Sequence, residues 1–218
     1  MKHKLFLLIV LGACLTFSEV SARDGSWNTG MDLYSSFVWR GVKYSGPSVQ
    51  PYLEYTTGGF TIGSWGSAGF DGFLETDLYL SYDLGFGISI GICDYYYPGT
   101  SFFDFSTITG AHGFEVSMGY KTGGLSLAGN YILNAAGGAG TAGGDMYFEM
   151  DYSFPHISLF IGAGNGWHTP DEKFGLVNMG ISSHKTLQIT ESFSIPVQGS
   201  VILNPTTEQV YIVAGISL

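Results

Sequence analysis

Residues Glu208 to Leu218 read E-Q-V-Y-I-V-A-G-I-S-L, with Val210, Ile212, Ala214, Ile216 and Leu218 at alternate positions and Tyr211, Val213, Gly215 and Ser217 between them. A strand turns successive side chains to opposite faces, so this stretch carries one unbroken apolar face and one smaller, more polar face. That division suits a strand between lipid and a lumen, and a chain that closes on it reads as an all-β outer-membrane barrel.

The opposite end supports the same destination. Met1–Ala22 has a basic start (Lys2, His3, Lys4), an apolar run from Leu5 to Phe17, and Val20-Ser21-Ala22 as a small-residue cleavage site. These are the parts of an export signal, which leaves residues 23–218 as the barrel. Leu11-Gly12-Ala13-Cys14 offers a rival, a lipobox that would make Cys14 a lipidated terminus. Beyond Phe17 no run approaches the about 20 apolar residues a helix needs to cross a bilayer, so strands must do the crossing.

Composition agrees. The chain has 33 Gly, 14 Tyr, 16 Phe and 4 Trp, and its charged fraction is 12%, about half that of an ordinary soluble domain. A net charge of -10 argues against nucleic acid, which needs clustered Lys and Arg. Once Cys14 leaves with the signal, Cys93 is alone and no intrachain disulfide can form.

Alternation and turn residues divide the remainder into about twelve strands, with ten or eight as alternative closures. They are Met31–Arg40, Val49–Thr56, Phe60–Gly69, Phe73–Tyr82, Phe86–Tyr96, Gly113–Lys121, Leu125–Asn134, Asp145–Phe154, Ile157–Asn165, Gly175–Ser183, Gln188–Asn204 and Glu208–Leu218. In the first, Phe37 and Trp39 are expected outside and Arg40 inside. Tight connections (Thr57-Gly58-Gly59, Asp83-Leu84-Gly85, Thr122-Gly123-Gly124, Pro155-His156, His184-Lys185-Thr186) alternate with a set in which four of six are longer: Gly41–Ser48, Phe70–Gly72, Pro98–His112, Ala135–Gly144, Gly166–Phe174 and Pro205–Thr207. Short turns belong at the periplasm and long loops outside.

The faces indicate the kind of barrel. Leu74, Leu78 and Leu80 alternate with Glu75, Asp77 and Tyr79, and Met146, Phe148 and Met150 alternate with Asp145, Tyr147 and Glu149. Charge on a lipid face is costly, so the acids are expected to point inward. A secreted sandwich or lipocalin-like barrel would show the same period with the apolar face inside. Aromatic residues near strand ends (Trp39, Tyr52, Tyr55, Trp65, Tyr95, Tyr120, Tyr152, Trp167) favour the membrane barrel as its interfacial girdles.

Ser35-Ser36-Phe37-Val38-Trp39-Arg40-Gly41 resembles the opening motif of the TorF-type porin family of bacterial outer-membrane proteins. The resemblance continues in Pro47-Ser48-Val49-Gln50, Gly59–Ser67, the Glu75, Asp77, Tyr79 series, Tyr95-Tyr96-Tyr97-Pro98 and Glu115. It is specific over Met31–Met118 and compositional afterwards. It implies a porin-like barrel and supplies no substrate. The chain departs from many outer-membrane strands in ending at Leu218 rather than Phe.

The expected pore lining is Asp32, Tyr34, Arg40, Tyr52, Glu54, Glu75, Asp77, Tyr79, Glu115, Asp145, Tyr147, Glu149 and Asp151. Arg40 beside Glu54, Glu75 or Asp77 would define a constriction or simply satisfy the wall. The acids would favour cations. The tyrosines either stack on solutes or fill a narrow bore. Phe102, Phe103, Asp104 and Phe105 could fold inward as a plug or grip a ligand, or their loop could pack as a surface loop on its own rim, and Ala135–Gly144, nearly all Gly, Ala and Thr, is expected to be mobile.

Three functions follow from this reading. The first is passive diffusion of small hydrophilic solutes; the second is an occluded barrel acting through its loops. The third is a barrel hydrolase using His168 with Asp171, or His112 with Asp104 or Asp94. No G-x-S-x-G, zinc spacing, calcium loop or phosphate loop is present, so neither catalysis nor a cofactor is expected. Expected partners are outer-membrane lipid, the small solutes, and the barrel-assembly machinery through the last strand.

Overall fold

The computed structural model describes residues 25–218. The export signal read at Met1–Ala22, with its two cleavage alternatives, lies outside the described residues. The strands are β1 (Ser26–Tyr34), β2 (Phe37–Trp39), β3 (Val42–Ser45), β4 (Ser48–Thr57), β5 (Phe60–Gly69), β6 (Leu74–Gly85), β7 (Ile88–Tyr96), β8 (His112–Thr122), β9 (Leu125–Ile132), β10 (Met146–Ser153), β11 (Ser158–Gly164), β12 (Gly175–Gln188), β13 (Ser194–Asn204) and β14 (Gln209–Ser217).

Twelve of these strands form one closed antiparallel barrel, in which β4 to β14 pair in sequence order and β1 joins β14 to β4. Closure gives every strand a partner on both sides and leaves no open edge. The remaining two, β2 and β3, form a separate hairpin between β1 and β4. The connections fall on two rims. Tight turns follow β4, β6, β8, β10 and β12 on the rim that also holds both ends of the described chain. Residues 35–47, 70–73, 97–111, 133–145, 165–174 and 205–208 lie on the other.

Two strand assignments need correction. The stretch Met31–Arg40 is not one strand: the ladder of β1 with β4 ends at the pair Tyr34 and Ser48, and the chain bends at Ser35-Ser36. Phe37 and Trp39, expected to face lipid, instead lie inside the barrel, where Phe37 packs on Trp65 at 5.4 Å and Trp39 on Tyr95 at 5.3 Å. Alternation specifies two faces without saying which one meets lipid, and inside this bore the partners are themselves aromatic. The turn expected at His184-Lys185-Thr186 also moves. Those residues stay paired with Pro196–Gln198, and the chain reverses at 189–193, closed by Ile189 N–H donating to the Phe193 carbonyl at 2.9 Å.

The outward faces carry Leu53, Ile62, Leu78, Leu80, Ile90, Ile92, Met118, Phe148, Met150, Ile161, Val201 and Ile212, all exposed. This is an apolar belt around a barrel whose interior is polar. Tyr55, Tyr120 and Tyr152 lie on the outward register near the tight turns, with Trp27, Phe60 and Phe154 beside them. Trp39, Tyr52, Trp65, Tyr95 and Trp167 leave the girdle expected of them. Trp65 pairs with Asp77 and Tyr52, and Trp167 meets Tyr95 and Trp39 edge-on, so these rings face the bore.

Candidate functional site

The hairpin reverses at Arg40-Gly41, where both residues have positive φ, 49° and 78°. Positive φ at both central residues is the type I′ geometry that matches strand twist, and it is uncommon for a residue with a side chain like Arg. Gly41 is required twice over. Its φ favours glycine, and an added Cβ would lie 1.9 Å from the Val177 carbonyl oxygen. The tip is therefore seated against the backbone of β12, three strands round the barrel from β1. Asn204 on β13 fixes it there, donating from Nδ2 to the Gly41 carbonyl at 3.0 Å.

Arg40 meets the wall of β8. Its Nη1 and Nη2 donate to Glu115 Oε2 and Oε1 at 2.6 and 2.9 Å, and the Tyr95 hydroxyl donates to the same Oε1 at 2.9 Å. Planar fork-to-carboxylate pairing is the strong form of this contact. The guanidinium also lies 4.1 Å from the Trp39 ring centroid and 4.6 Å from that of Tyr147, held between two π faces. Behind Tyr147, its hydroxyl donates to Glu149, while Asn178 Nδ2 donates to both groups at 2.9 Å. Arg40 is thus inward, as expected, but its partner is Glu115 rather than Glu54, Glu75 or Asp77.

The other expected lining residues distribute by register. Asp32 pairs with Gln50, and Tyr34 lines the same interior space as Gln50, Glu149 and Asp151. Glu54 receives Asn28 Nδ2 at 2.9 Å and the Tyr79 hydroxyl at 2.8 Å. Tyr52 stands opposite Trp65. Glu75, Asp77 and Tyr79 border one cavity with Trp65 and Tyr95. Asp145 precedes β10 at the loop rim, where it accepts from Thr141 Oγ1 at 2.7 Å, so it anchors a loop.

Of the two placements open to the loop of Phe102, Phe103 and Phe105, the structure has the one on its own rim. Phe103 and Phe105 are exposed, and Phe102 and Phe105 pack against His112, 5.0 and 4.5 Å away. His112 pairs across the ladder with Tyr96, on the face opposite Tyr95, so the loop covers the outer rim. Asp104 stays in that loop, accepting from Thr109 Oγ1 at 2.7 Å and Ser106 N–H at 3.0 Å, which hold its carboxyl below the usual range. The bore is filled by β2, β3 and Trp167-His168 instead. The 135–144 segment, expected to be mobile, is tied down: Ala136 N–H donates to Thr141 O at 2.9 Å, Gly137 N–H donates to Thr107 O at 3.1 Å, and Ala136 and Thr141 are buried.

The histidine pairs separate. His112 Nδ1 lies 3.0 Å from both Asp94 carboxylate oxygens and Nε2 lies 2.7 Å from the Phe102 carbonyl oxygen, so both ring nitrogens are engaged in fixing the loop. His168 does not meet Asp171, which pairs with Lys173 at 3.1 Å. His168 instead packs on Tyr147 and Trp39. Burial first, and the Arg40 charge second, hold its imidazole at about 3. The folded group is neutral while the unfolded one gains a proton below roughly 6.5. Stability from His168 is therefore present above that value and lost as pH falls toward the folded value. His168→Leu is expected to flatten the fall in melting temperature between pH 7 and pH 4; an unchanged slope in a thermal melt would refute it.

Several lumen residues were missed in the sequence: Trp39, Trp65, Tyr95, Trp167, Asn178 and Asn204. For Trp65 and Tyr95 the phase was available, since exposed Ile62 and Ile92 place positions 65 and 95 on the opposite face. No local signal marks Trp167, which arrives on the loop between β11 and β12.

The hairpin leaves two spaces beside it. One, of about 350 Å³, lies toward β10–β14 and is lined by Gln50, Glu149, Asp151, Asn178 and Gln198. The other, about 290 Å³, lies toward β5–β7. No family model matches the chain, and no curated protein sequence matches it. Among solved structures, OccK9 (OpdG) of Pseudomonas aeruginosa is similar with a TM-score of 0.35 and 14% identity, covering 92% of this chain. The chain spans 63% of that protein's length.

Proposed function

We propose that this chain is an outer-membrane porin-like channel for small hydrophilic solutes, narrowed by its own first hairpin and favouring cations. The reading is supported by the combination of an apolar outer belt with an interior carrying Asp32, Glu54, Glu75, Asp77, Glu149 and Asp151. The single observation that carries it is that Arg40, the cation at the tip of the inward hairpin, is committed to Glu115. Its charge is thereby spent, and the remaining acids set the potential in the bore. Twelve strands give a bore between the filled eight-stranded barrels and the open ones of 16–18, which suits small solutes passing a side-chain constriction. The export signal read at Met1–Ala22 and the apolar last strand fit delivery to, and assembly in, an outer membrane.

Purified, heat-modifiable protein in planar bilayers under a KCl gradient is expected to give currents with a cation-selective reversal potential. Glu149→Gln with Asp151→Asn should move that potential toward zero. Folded protein that passes no current would refute the channel and leave the second reading, an occluded barrel working through its outer loops. That reading has its own support, because the hairpin and Trp167-His168 occupy the centre of the bore.

A further inference from the structure

The space of about 290 Å³ on the β5–β7 side has a chemistry that passive diffusion does not call for. Its walls include the rings of Phe37 and Trp39 from the hairpin and of Trp65 and Tyr95 from the barrel. Its floor is Glu75 and Asp77, two residues apart on the inward face of β6. Both are buried, 6% and 7% exposed, and Glu75 Oε2 and Asp77 Oδ1 have no hydrogen-bond partner. Ser67, directly across the ladder from Glu75, also has an unpartnered, buried hydroxyl. Native interiors rarely leave such groups unmatched, and here three lie together beside a cavity.

The nearby cation does not answer them, since both arms of the Arg40 fork go to Glu115. The Tyr97 hydroxyl serves Glu75 but leaves Oε2 and Asp77 Oδ1 open; the partner that answers an ionised pair is positive and donates hydrogen bonds, because ionised carboxylate oxygens accept only. Aromatic faces attract cations through the ring quadrupole and shelter hydrocarbon. A hard metal ion needs six or more oxygen ligands or a retained water shell, which two carboxylates among aromatic walls suit poorly. We infer that this cavity is a binding subsite for a small protonated amine, with N–H groups on Glu75 and Asp77 and an alkyl body against Trp39 and Trp65. Two acids at one end of the space favour a primary ammonium over a quaternary one, which has no N–H to give.

The probe is 1,4-diaminobutane, with butylamine as the monocation and tetramethylammonium as the cation that cannot donate. Binding to the folded full-length protein in detergent is read by calorimetry and by tryptophan fluorescence, since Trp39 and Trp65 line the site. Saturable binding of both amines is expected, with tetramethylammonium at least tenfold weaker. Glu75→Gln with Asp77→Asn should weaken amine binding tenfold or more while keeping the folded, heat-modifiable band. Glu191→Gln, in the exposed turn at 189–193 on the far rim, should leave it unchanged. Equal affinity in the double variant, equal affinity for tetramethylammonium, a response to calcium or sodium alone, or no saturation at millimolar amine would each overturn the subsite. If the double variant does not fold, Trp65→Ala should weaken binding in its place, and unchanged affinity there would overturn it. The measurement needs no current, so a silent channel that still binds amines would refute conduction and leave the subsite standing.

Discussion

Replacing Arg40 with alanine is expected to lower the melting temperature of the folded barrel and to raise its single-channel conductance. The pair with Glu115 is nearly enclosed, with side-chain exposures of 11% and 4%. Removing one member of such a pair costs about 3–5 kcal/mol, because the survivor is left charged and unmatched. Here Glu115 would keep only the Tyr95 hydroxyl. The contacts of the guanidinium with Trp39 and Tyr147 disappear too, and such a contact is worth about 2 kcal/mol when desolvated. Arg40→Ala with Glu115→Gln separates the two consequences. Eliminating the buried charge should recover part of the melting temperature, while the unanchored hairpin keeps the current high. Wild-type current and wild-type melting in Arg40→Ala would show that the ion pair neither holds the hairpin nor narrows the bore.

Excising the hairpin should have a still larger effect on current. Tyr34 and Ser48 are direct partners across the β1 and β4 ladder, so a short Asn-Gly turn in place of residues 35–47 can join these strands with no change in the barrel register. The deletion removes Phe37, Trp39 and Arg40 from the bore and merges the spaces of about 350 and 290 Å³ that flank them. Conductance is expected to rise several-fold, with weaker discrimination among solutes by size. A heat-modifiable deletion variant with unchanged conductance would place the constriction elsewhere, with Trp167 and His168 as the remaining candidates. The deletion also removes two hydrogen bonds at the end of the β1 and β14 ladder, Ser35 N–H to the Ala214 carbonyl at 2.8 Å and Ala214 N–H to Ser35 Oγ at 2.9 Å.

The Arg40 side chain shows how unevenly the site was legible. Its inward direction followed from the cost of charge in lipid, a local rule that needs only the strand period. Its partner did not, because Glu115 is 75 residues away and several acids share the inward face. The sequence left open whether the loop of Phe102, Phe103 and Phe105 plugs the bore or packs on its rim, for a related reason. Phe102, Phe103 and Phe105 are bulky enough to fill a bore, yet His112 offers their loop a set of contacts on the outer rim. The bore was meanwhile filled by Phe37 and Trp39, whose spacing is equally that of a lipid-facing strand.

Residues 208–218 define the limit. By themselves they specify a strand with Val210 and Ile212 on one face and Val213 on the other, and the structure exposes the first two and buries the third. Repeated along the chain, that period determined the all-β class, the twelve barrel strands, the alternation of turns and loops, and the acids of the interior. These are properties of a ladder between neighbours, so they are written locally. Only the tertiary structure decided that Ser35–Pro47 turns into the barrel, that Arg40 meets Glu115, and that Glu75 and Asp77 share a cavity with Trp39 and Trp65. Those contacts exist because the sheet closes on itself. Closure brings opposite walls within reach of one hairpin, and a two-residue period carries no record of what stands across the bore.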